Sequence, residues 1–333
     1  MPAIRSAVCL LVLGLFFQWP FDALSGTAAL LREDPGFMVG MAIAPAPIGG
    51  LHHQLFCVSY FAGRLYRVDP ATQACTLVNS RLTTPHGIAI HQSDNGSLHE
   101  AYITELKSGR VMKVDLLTGK ESLVAEGLLQ PARLALLEKN GAVEAIFVTQ
   151  LHEGSVVRLR LDGQQHWQPA VVAEGIPLAD GIELEPGGTT ALVGSFWGPG
   201  LLPGTMTGNI TRIDLESGAI LDTPAENNLW FPAQFTLRNG PDEPLDVYVS
   251  EMLGRRVTRI ACDADGSCKR SESFRGIMFP TGISLTPDKS RLFALEAFSG
   301  KILGIDTLTG ATEIVARLPR HEESESPATP KAE

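Results

Sequence analysis

The sequence predicts an all-β fold, a six-bladed β-propeller with four antiparallel strands per blade. Three observations predict it: one motif recurs six times at a spacing of about 47 residues, a short β-rich run follows each copy, and turn signals separate the runs. The copies are Gly40-Met-Ala-Ile-Ala-Pro45, Gly87-Ile-Ala-Ile90, Arg133-Leu-Ala-Leu136, Gly181-Ile-Glu-Leu-Glu-Pro186, Gln234-Phe-Thr-Leu237 and Gly282-Ile-Ser-Leu-Thr-Pro287.

Each copy is read as the first strand of a blade. The second strands are Leu55 to Ser59, Ala101 to Glu105, Ala145 to Gln150, Ala191 to Ser195, Val247 to Glu251 and Leu292 to Glu296. Third strands take forms such as Gly63-Arg-Leu-Tyr-Arg-Val-Asp69 and Gly300-Lys-Ile-Leu-Gly-Ile-Asp306. Turns such as Leu117-Thr-Gly119 lead to fourth strands such as Glu121 to Ala125 and Thr312 to Arg317. The fourth unit is the longest, because Phe196 to Gly208 is inserted between its second and third strands. Several small sandwiches would need linkers that the chain does not show, so one radial domain is expected. Ring closure stays open between two forms: residues 26–34 adding a strand to the last blade, or the sixth blade abutting the first.

The termini read differently. One positive charge in Met1 to Arg5, an apolar run from Ser6 to Phe17 and the small residues of Ala23-Leu24-Ser25 have the form of a signal peptide, residues 1–25. The run is shorter than the ~20 residues of a membrane span. The propeller is then expected over 26–318, in the secretory pathway or outside the cell, with no stable membrane insertion. Residues 319–333 carry no apolar periodicity and read as a disordered tail.

Composition narrows the function. The formal charge of -10, from 27 Lys+Arg against 37 Asp+Glu, leaves no basic face for phosphate contacts, so nucleic acid is not an expected partner. No nucleophile elbow, phosphate loop, zinc motif or CxxC pair is present.

Signal cleavage would remove Cys9 and leave four cysteines for an oxidising compartment. Cys262 and Cys268 flank a turn sequence and are expected to bridge the mouth of a hairpin. Cys57 and Cys75 are harder to join, because a third strand between them separates their strands by roughly 9.5 Å. The sequons at Asn95 and Asn209 are candidate glycosylation sites in a eukaryotic source.

The run Phe279-Pro-Thr-Gly-Ile-Ser-Leu-Thr-Pro-Asp288, followed by Arg291-Leu-Phe-Ala-Leu-Glu296 and Gly300 to Asp306, resembles the SMP-30/gluconolactonase and strictosidine synthase-like superfamily. The resemblance covers nearly all of the chain after residue 25. It implies the propeller fold and leaves the chemistry open, since the superfamily holds calcium lactonases, phosphotriesterases, condensing enzymes and binding proteins.

In such a blade the start of strand one, the end of strand two and the loop after it share one face. The residues before the six first-strand anchors are Val39, His86, Ala132, Asp180, Ala233 and Thr281. The calcium-dependent members gather acidic and amide ligands here. One carboxylate and one imidazole do not meet calcium's need for six to eight oxygens, so no metal or other cofactor is expected. The second strands end on Ser59, Glu105, Gln150, Ser195, Glu251 and Glu296. Their acidic members read either as acceptors of backbone N–H groups or as bases for a substrate hydroxyl, with Glu251 and Glu296 foremost. His86 is a candidate donor or base, or else a satisfied channel histidine, and Asp180 a candidate catalytic acid or a turn residue.

The loops of this face are apolar. Tyr60, Phe196, Trp197, Trp230, Phe231, Met278 and Phe279, with Gln150 and His152, are the candidate substrate wall; the bland reading is satellite packing. An aromatic, metal-poor, secreted propeller is similar to the fungal hetero-Diels-Alderases of tropolonic sesquiterpenoid biosynthesis. That resemblance implies small apolar substrates, a tropolone quinone methide and a humulene-type alkene, joined by catalysis through positioning. The alternatives are a calcium-dependent lactonase or esterase and a secreted binding propeller without turnover.

Overall fold

The computed structural model describes residues 37–48, 53–93, 96, 99–196, 207–265 and 267–319, with the backbone alone for 223–228. The expected signal peptide, nearly all of the expected tail, Asn95 and Trp197 lie outside the described residues.

Twenty-four strands form six four-stranded antiparallel sheets, each built from four consecutive strands. The first strands are β1 (Met38–Ile43), β5 (Pro85–Gln92), β9 (Pro131–Lys139), β13 (Ala179–Leu184), β17 (Pro232–Leu237) and β21 (Pro280–Leu285). The second strands are β2 (Leu55–Ser59), β6 (His99–Glu105), β10 (Ala142–Gln150), β14 (Thr190–Ser195), β18 (Asp246–Glu251) and β22 (Arg291–Glu296). All six are buried over the last five residues, because each lies between two strands of its own blade and two neighbouring blades. That is why they read in the sequence as short continuous apolar runs. The outermost strands, such as β4 (Cys75–Asn79) and β24 (Thr312–Arg317), are instead mostly exposed and buried only near their C-terminal ends.

Among the described residues the first and last blades meet side by side. β21 packs beside β1, and the join is tied by Met38 N–H to the Ala297 carbonyl at 2.9 Å, Thr281 Oγ1 to the Met38 carbonyl at 2.8 Å and Ser284 Oγ to the Met41 carbonyl at 3.3 Å. Among the described residues no strand is exchanged between the first and last blades, and residues 26–34, which carry the first of the two expected forms, lie outside them.

The ends of the third strands carry a repeated Asx turn. Asp115 accepts from the N–H groups of Leu117 and Thr118, Asp214 from those of Glu216 and Ser217, and Asp306 from those of Leu308 and Thr309. This is the physical content of the recurring Asp-x-x-Thr/Ser-Gly sequence.

Cys262 and Cys268 are disulfide-bonded across directly opposed positions of β19 (Arg256–Cys262) and β20 (Cys268–Arg275). The bond is consistent with folding in an oxidising compartment. Cys57 and Cys75 are not bridged; β3 (Arg64–Val68) lies between their strands. Asn209 is 4 % exposed inside β15 (Thr207–Asp214), so the folded chain does not offer it to a glycosylating enzyme. No helix of the described residues is long and apolar enough to cross a membrane.

Candidate functional site at the upper mouth of the channel

Strand register puts the starts of the first strands beside the ends of the second strands: Met38 faces Ser59, Pro85 Glu105, Pro131 Gln150, Ala179 Ser195, Pro232 Glu251 and Pro280 Glu296. This end of the channel is called the upper face below. The expected gathering of these two rings on one face is therefore what the chain builds.

Each first strand after β1 is entered through a kink. Thr84, Gln130, Leu178, Phe231 and Phe279 all have φ between 49° and 58°, a left-handed conformation that costs a non-glycine residue about 1–3 kcal/mol. Two kinds of hydrogen bond hold the kinks. The kinked residue's carbonyl accepts from the residue just after the second strand, as in Leu106 to Thr84 and Met252 to Phe231, both 3.1 Å. In four blades the last residue of the second strand takes the N–H just before the kink: Thr83 to Glu105 at 2.6 Å, Leu129 to Gln150 at 2.6 Å, Trp230 to Glu251 at 2.8 Å and Met278 to Glu296 at 2.7 Å.

The remaining carboxylate valence is also used. Glu105 accepts from Ser108 and from Nε and Nη2 of Arg110, all at Oε2; Glu251 accepts bidentately from Arg256 and also from Thr258; Glu296 accepts from Ser299. These hydrogen bonds hold Glu251 below the usual carboxylate range despite burial. A carboxylate held this way is a weak base with its lone pairs engaged. The structure thus places the three glutamates around the site as clamps on the turns that shape it.

Among the polar groups buried at this end of the channel are His86, Asp180 and Arg133. Four of the six first-strand anchors are glycine, and a Cβ on Gly87 or Gly40 would approach a neighbouring strand's carbonyl oxygen to 2.6 or 2.5 Å. The other two anchors are Arg133 and Gln234. Arg133 crosses the channel, donating from Nη1 to Gln234 Oε1 at 3.0 Å and from Nη2 to the carbonyls of Val39 at 2.7 Å and Thr281 at 3.1 Å, the latter in the opposite blade. Gln234 in turn donates to the Met41 carbonyl at 2.9 Å. The two residues close the channel as a plug. Arg133 escaped the sequence reading although its signal was there, an arginine where the repeat otherwise prefers glycine.

Above the plug, Asp180 is 1 % exposed, 3.8 Å from Arg133 Nε and 3.7 Å from His86 Nδ1, too far for hydrogen bonds. Burial pushes its carboxyl up to about 7, with Arg133 pulling the other way. Burial, with the Arg133 charge, lowers the His86 imidazole to about 3. Its Nδ1–H donates to the Ala132 carbonyl at 3.1 Å, which fixes the tautomer and makes Nε2 the ring's acceptor. The phenol of Tyr60, its ring 6.3 Å from that of His86, is pushed up by burial as well. Tyr60 Oη, both Asp180 oxygens and Arg133 Nε are buried without a hydrogen-bond partner among the described residues, an expensive concentration of orphaned polar atoms in one place.

The aromatic residues of the upper face split into two groups. Phe196 and Phe231 stack at 3.9 Å, Tyr60 meets Phe61 edge-on at 5.1 Å, and all are buried or half-buried in the cluster that covers this end. Trp230 at 49 % and Met278 at 39 % exposure stand on the rim with Leu129, at the same position of three blades. Phe279 is half-buried among Phe61 and Phe298, Gln150 is buried on its Leu129 bond, and His152 is exposed.

A calcium ion of the superfamily's kind does not fit these residues. Among the described residues no three of His, Cys, Asp and Glu gather as ligands, and the Arg133 guanidinium already lies where a cation would approach Asp180.

No protein-family model matches the chain, and no curated protein matches it in sequence. Solved structures match it in fold. A chain of the nidogen/laminin complex superposes with a TM-score of 0.60 at 14% identity, covering 78% of this chain and 91% of that one. Hydrazine synthase of Kuenenia stuttgartiensis gives 0.58 at 13%, covering 83% and 96%. Streptogramin B lyase gives 0.50 at 17%, covering 76% and 74%. At such identities the likeness establishes the propeller architecture.

Proposed function

We propose that the chain is an enzyme that holds apolar substrates on the upper face, and that its reaction is a metal-independent hetero-Diels-Alder cycloaddition of a tropolone quinone methide with a humulene-type alkene. The observation that carries this reading is the polar floor of Tyr60, His86, Asp180 and Arg133 beneath a rim of exposed Trp230, Met278 and Leu129. A cycloaddition forms one C–C and one C–O bond and loses nothing, so it asks the protein for orientation, worth up to about 7–11 kcal/mol in ideal cases. Making the quinone methide asks for more. A proton must reach the departing hydroxyl as its C–O bond breaks, and another must leave the tropolone oxygen. Asp180, a carboxyl about half protonated near neutrality, can give the first proton in its acid form and take the second in its carboxylate form, and His86, an imidazole kept neutral, can orient the tropolone hydroxyl through its acceptor nitrogen.

The test is turnover of the matched substrate pair by the unmodified chain, Trp230→Ala and His86→Gln. Loss of rate or stereoselectivity on Trp230→Ala and loss of quinone methide formation on His86→Gln are expected. Unchanged rate and product ratio in both would remove the upper face from the reaction. Saturable binding of the pair with no product would assign the same surface to a binding propeller.

A further inference from the structure

Five methionines stand among the described residues. Met38, Met41, Met112 and Met252 are 9 % exposed or less and belong to the hydrophobic cores, whereas Met278 is 39 % exposed on the upper rim. An oxidant in solution reaches a thioether only where the sulfur is accessible, and a buried sulfur must wait for the chain to open. Among these five the fold singles out Met278.

The Met278 side chain is held at both ends. Its N–H donates to Glu296 Oε1 at 2.7 Å, and Phe279, the next residue, carries the kink at φ 53°. Its Sδ accepts from Nη2 of Arg255. Arg255 stands in the turn between β18 and β19, is itself left-handed at φ 53°, and donates its N–H to the Met252 carbonyl at 3.4 Å. A flexible, unbranched side chain is thereby fixed at its backbone and at its sulfur.

A thioether sulfur has two lone pairs. Arg255 engages one, which leaves the other to attack a hydroperoxide. The S–O bond forms as the O–O bond breaks; the transferred oxygen passes its proton to the departing one, which leaves as water from hydrogen peroxide. Sulfur gives up the two electrons that the peroxide takes. Oxygen added to one lone pair makes one sulfoxide epimer and oxygen added to the other makes its opposite, and each epimer is reduced back by its own class of reductase. A guanidinium on one lone pair therefore selects the epimer.

We propose that Met278 is a methionine oxidation site, which reacts with hydroperoxides in the folded protein and gives mainly one sulfoxide epimer because Arg255 occupies the other lone pair. The new S–O group puts a dipole on an apolar rim, next to a turn whose Gly254 lies against Trp230. The site does not depend on the reaction proposed for this face.

The experiment is a time course of the full chain with hydrogen peroxide, read by peptide mass spectrometry, after which the isolated Met278 peptide is treated with each of the two epimer-specific sulfoxide reductases. Met278 is expected to oxidise about tenfold faster than Met38, Met41, Met112 and Met252, and the spread is expected to vanish in denaturant. One epimer is expected in about fourfold excess. Arg255→Asn suits the left-handed turn but is too short to reach the sulfur, and is expected to bring the two epimers to parity. Arg255→Lys, which keeps a donor, is expected to retain most of the excess. Continued protection of the four buried methionines in each variant reports that it is folded. The proposal is overturned if Met278 oxidises no faster than those four, if the unmodified chain gives the epimers equally, or if Arg255→Asn keeps the excess.

Discussion

The hydroxyl of Ser195 donates to the carbonyl of Pro177, the reverse of the hydrogen bond at the corresponding place in four other blades. There the last residue of the second strand accepts from the N–H before the kink, which Thr83, Leu129, Trp230 and Met278 supply. Proline has no N–H to give. The blade with Pro177 therefore ends its second strand on a donor, whereas those four end on glutamate or glutamine. The two residues vary together because one backbone group changed its capacity.

A carboxylate at this position depends on that N–H. Ser195→Glu is expected to destabilise the protein by about 3 kcal/mol, by burying a charge beside a carbonyl. Ser195→Glu with Pro177→Ala is expected to recover most of the loss. Thermal unfolding of the two variants checks the coupling, and an additive result would break it.

Much of the architecture was legible in the sequence because a propeller writes each blade out again. The second strand at Leu55–Ser59 and the fourth strands at Glu121–Ala125 and Thr312–Arg317 match residue for residue. The join of β21 to β1 was not legible, since it rests on hydrogen bonds from Thr281 and Ser284 that other residues at those positions could also make. The upper face was located, and His86 and Asp180 with it. Arg133 and Glu183 were passed over for the same reason: each stands inside an anchor run, where apolar periodicity draws attention away from the residue that departs from the repeat.

The plug makes the channel's charges interdependent. Arg133→Met removes the donors that reach Val39, Thr281 and Gln234 and leaves Asp180 without a cation, so a loss of about 3–5 kcal/mol is expected. Adding Asp180→Asn to Arg133→Met is expected to restore part of it. A double-mutant cycle by denaturant unfolding measures the coupling; zero coupling would mean the two groups do not interact.

His86 carries an acid sensitivity with a defined window. Its imidazole is lowered from the ordinary 6.5 to about 3, so the unfolded chain binds a proton that the folded one refuses. The stability tied to the neutral ring is full above pH 6.5 and is lost as pH falls towards 3. The melting temperature of the unmodified chain is expected to fall more steeply between about pH 6.5 and 4 than that of His86→Gln, whatever their absolute values. Parallel curves would mean that the imidazole titrates normally.

Reduction of Cys262–Cys268 opens the tip of the β19–β20 hairpin, on the two outer strands of its blade. The bond closes a short loop, for which chain entropy gives about 2 kcal/mol. Mild reductant is expected to lower the melting temperature by several degrees and leave ligand binding on the upper face unchanged. A change in binding would place the tip in contact with a site.

Glu183 works in the opposite sense to His86. Its folded pKa of about 8 lies above the ordinary 4.5, so the folded chain holds a proton that the unfolded chain gives up. The stability tied to that proton is full below pH 4.5 and is lost as pH rises through 8. A glutamine at this position cannot titrate, so the melting temperature of Glu183→Gln relative to the unmodified chain is expected to climb by a few degrees between about pH 5 and 9. A difference that stays flat over that range would mean that the carboxyl titrates in its ordinary range.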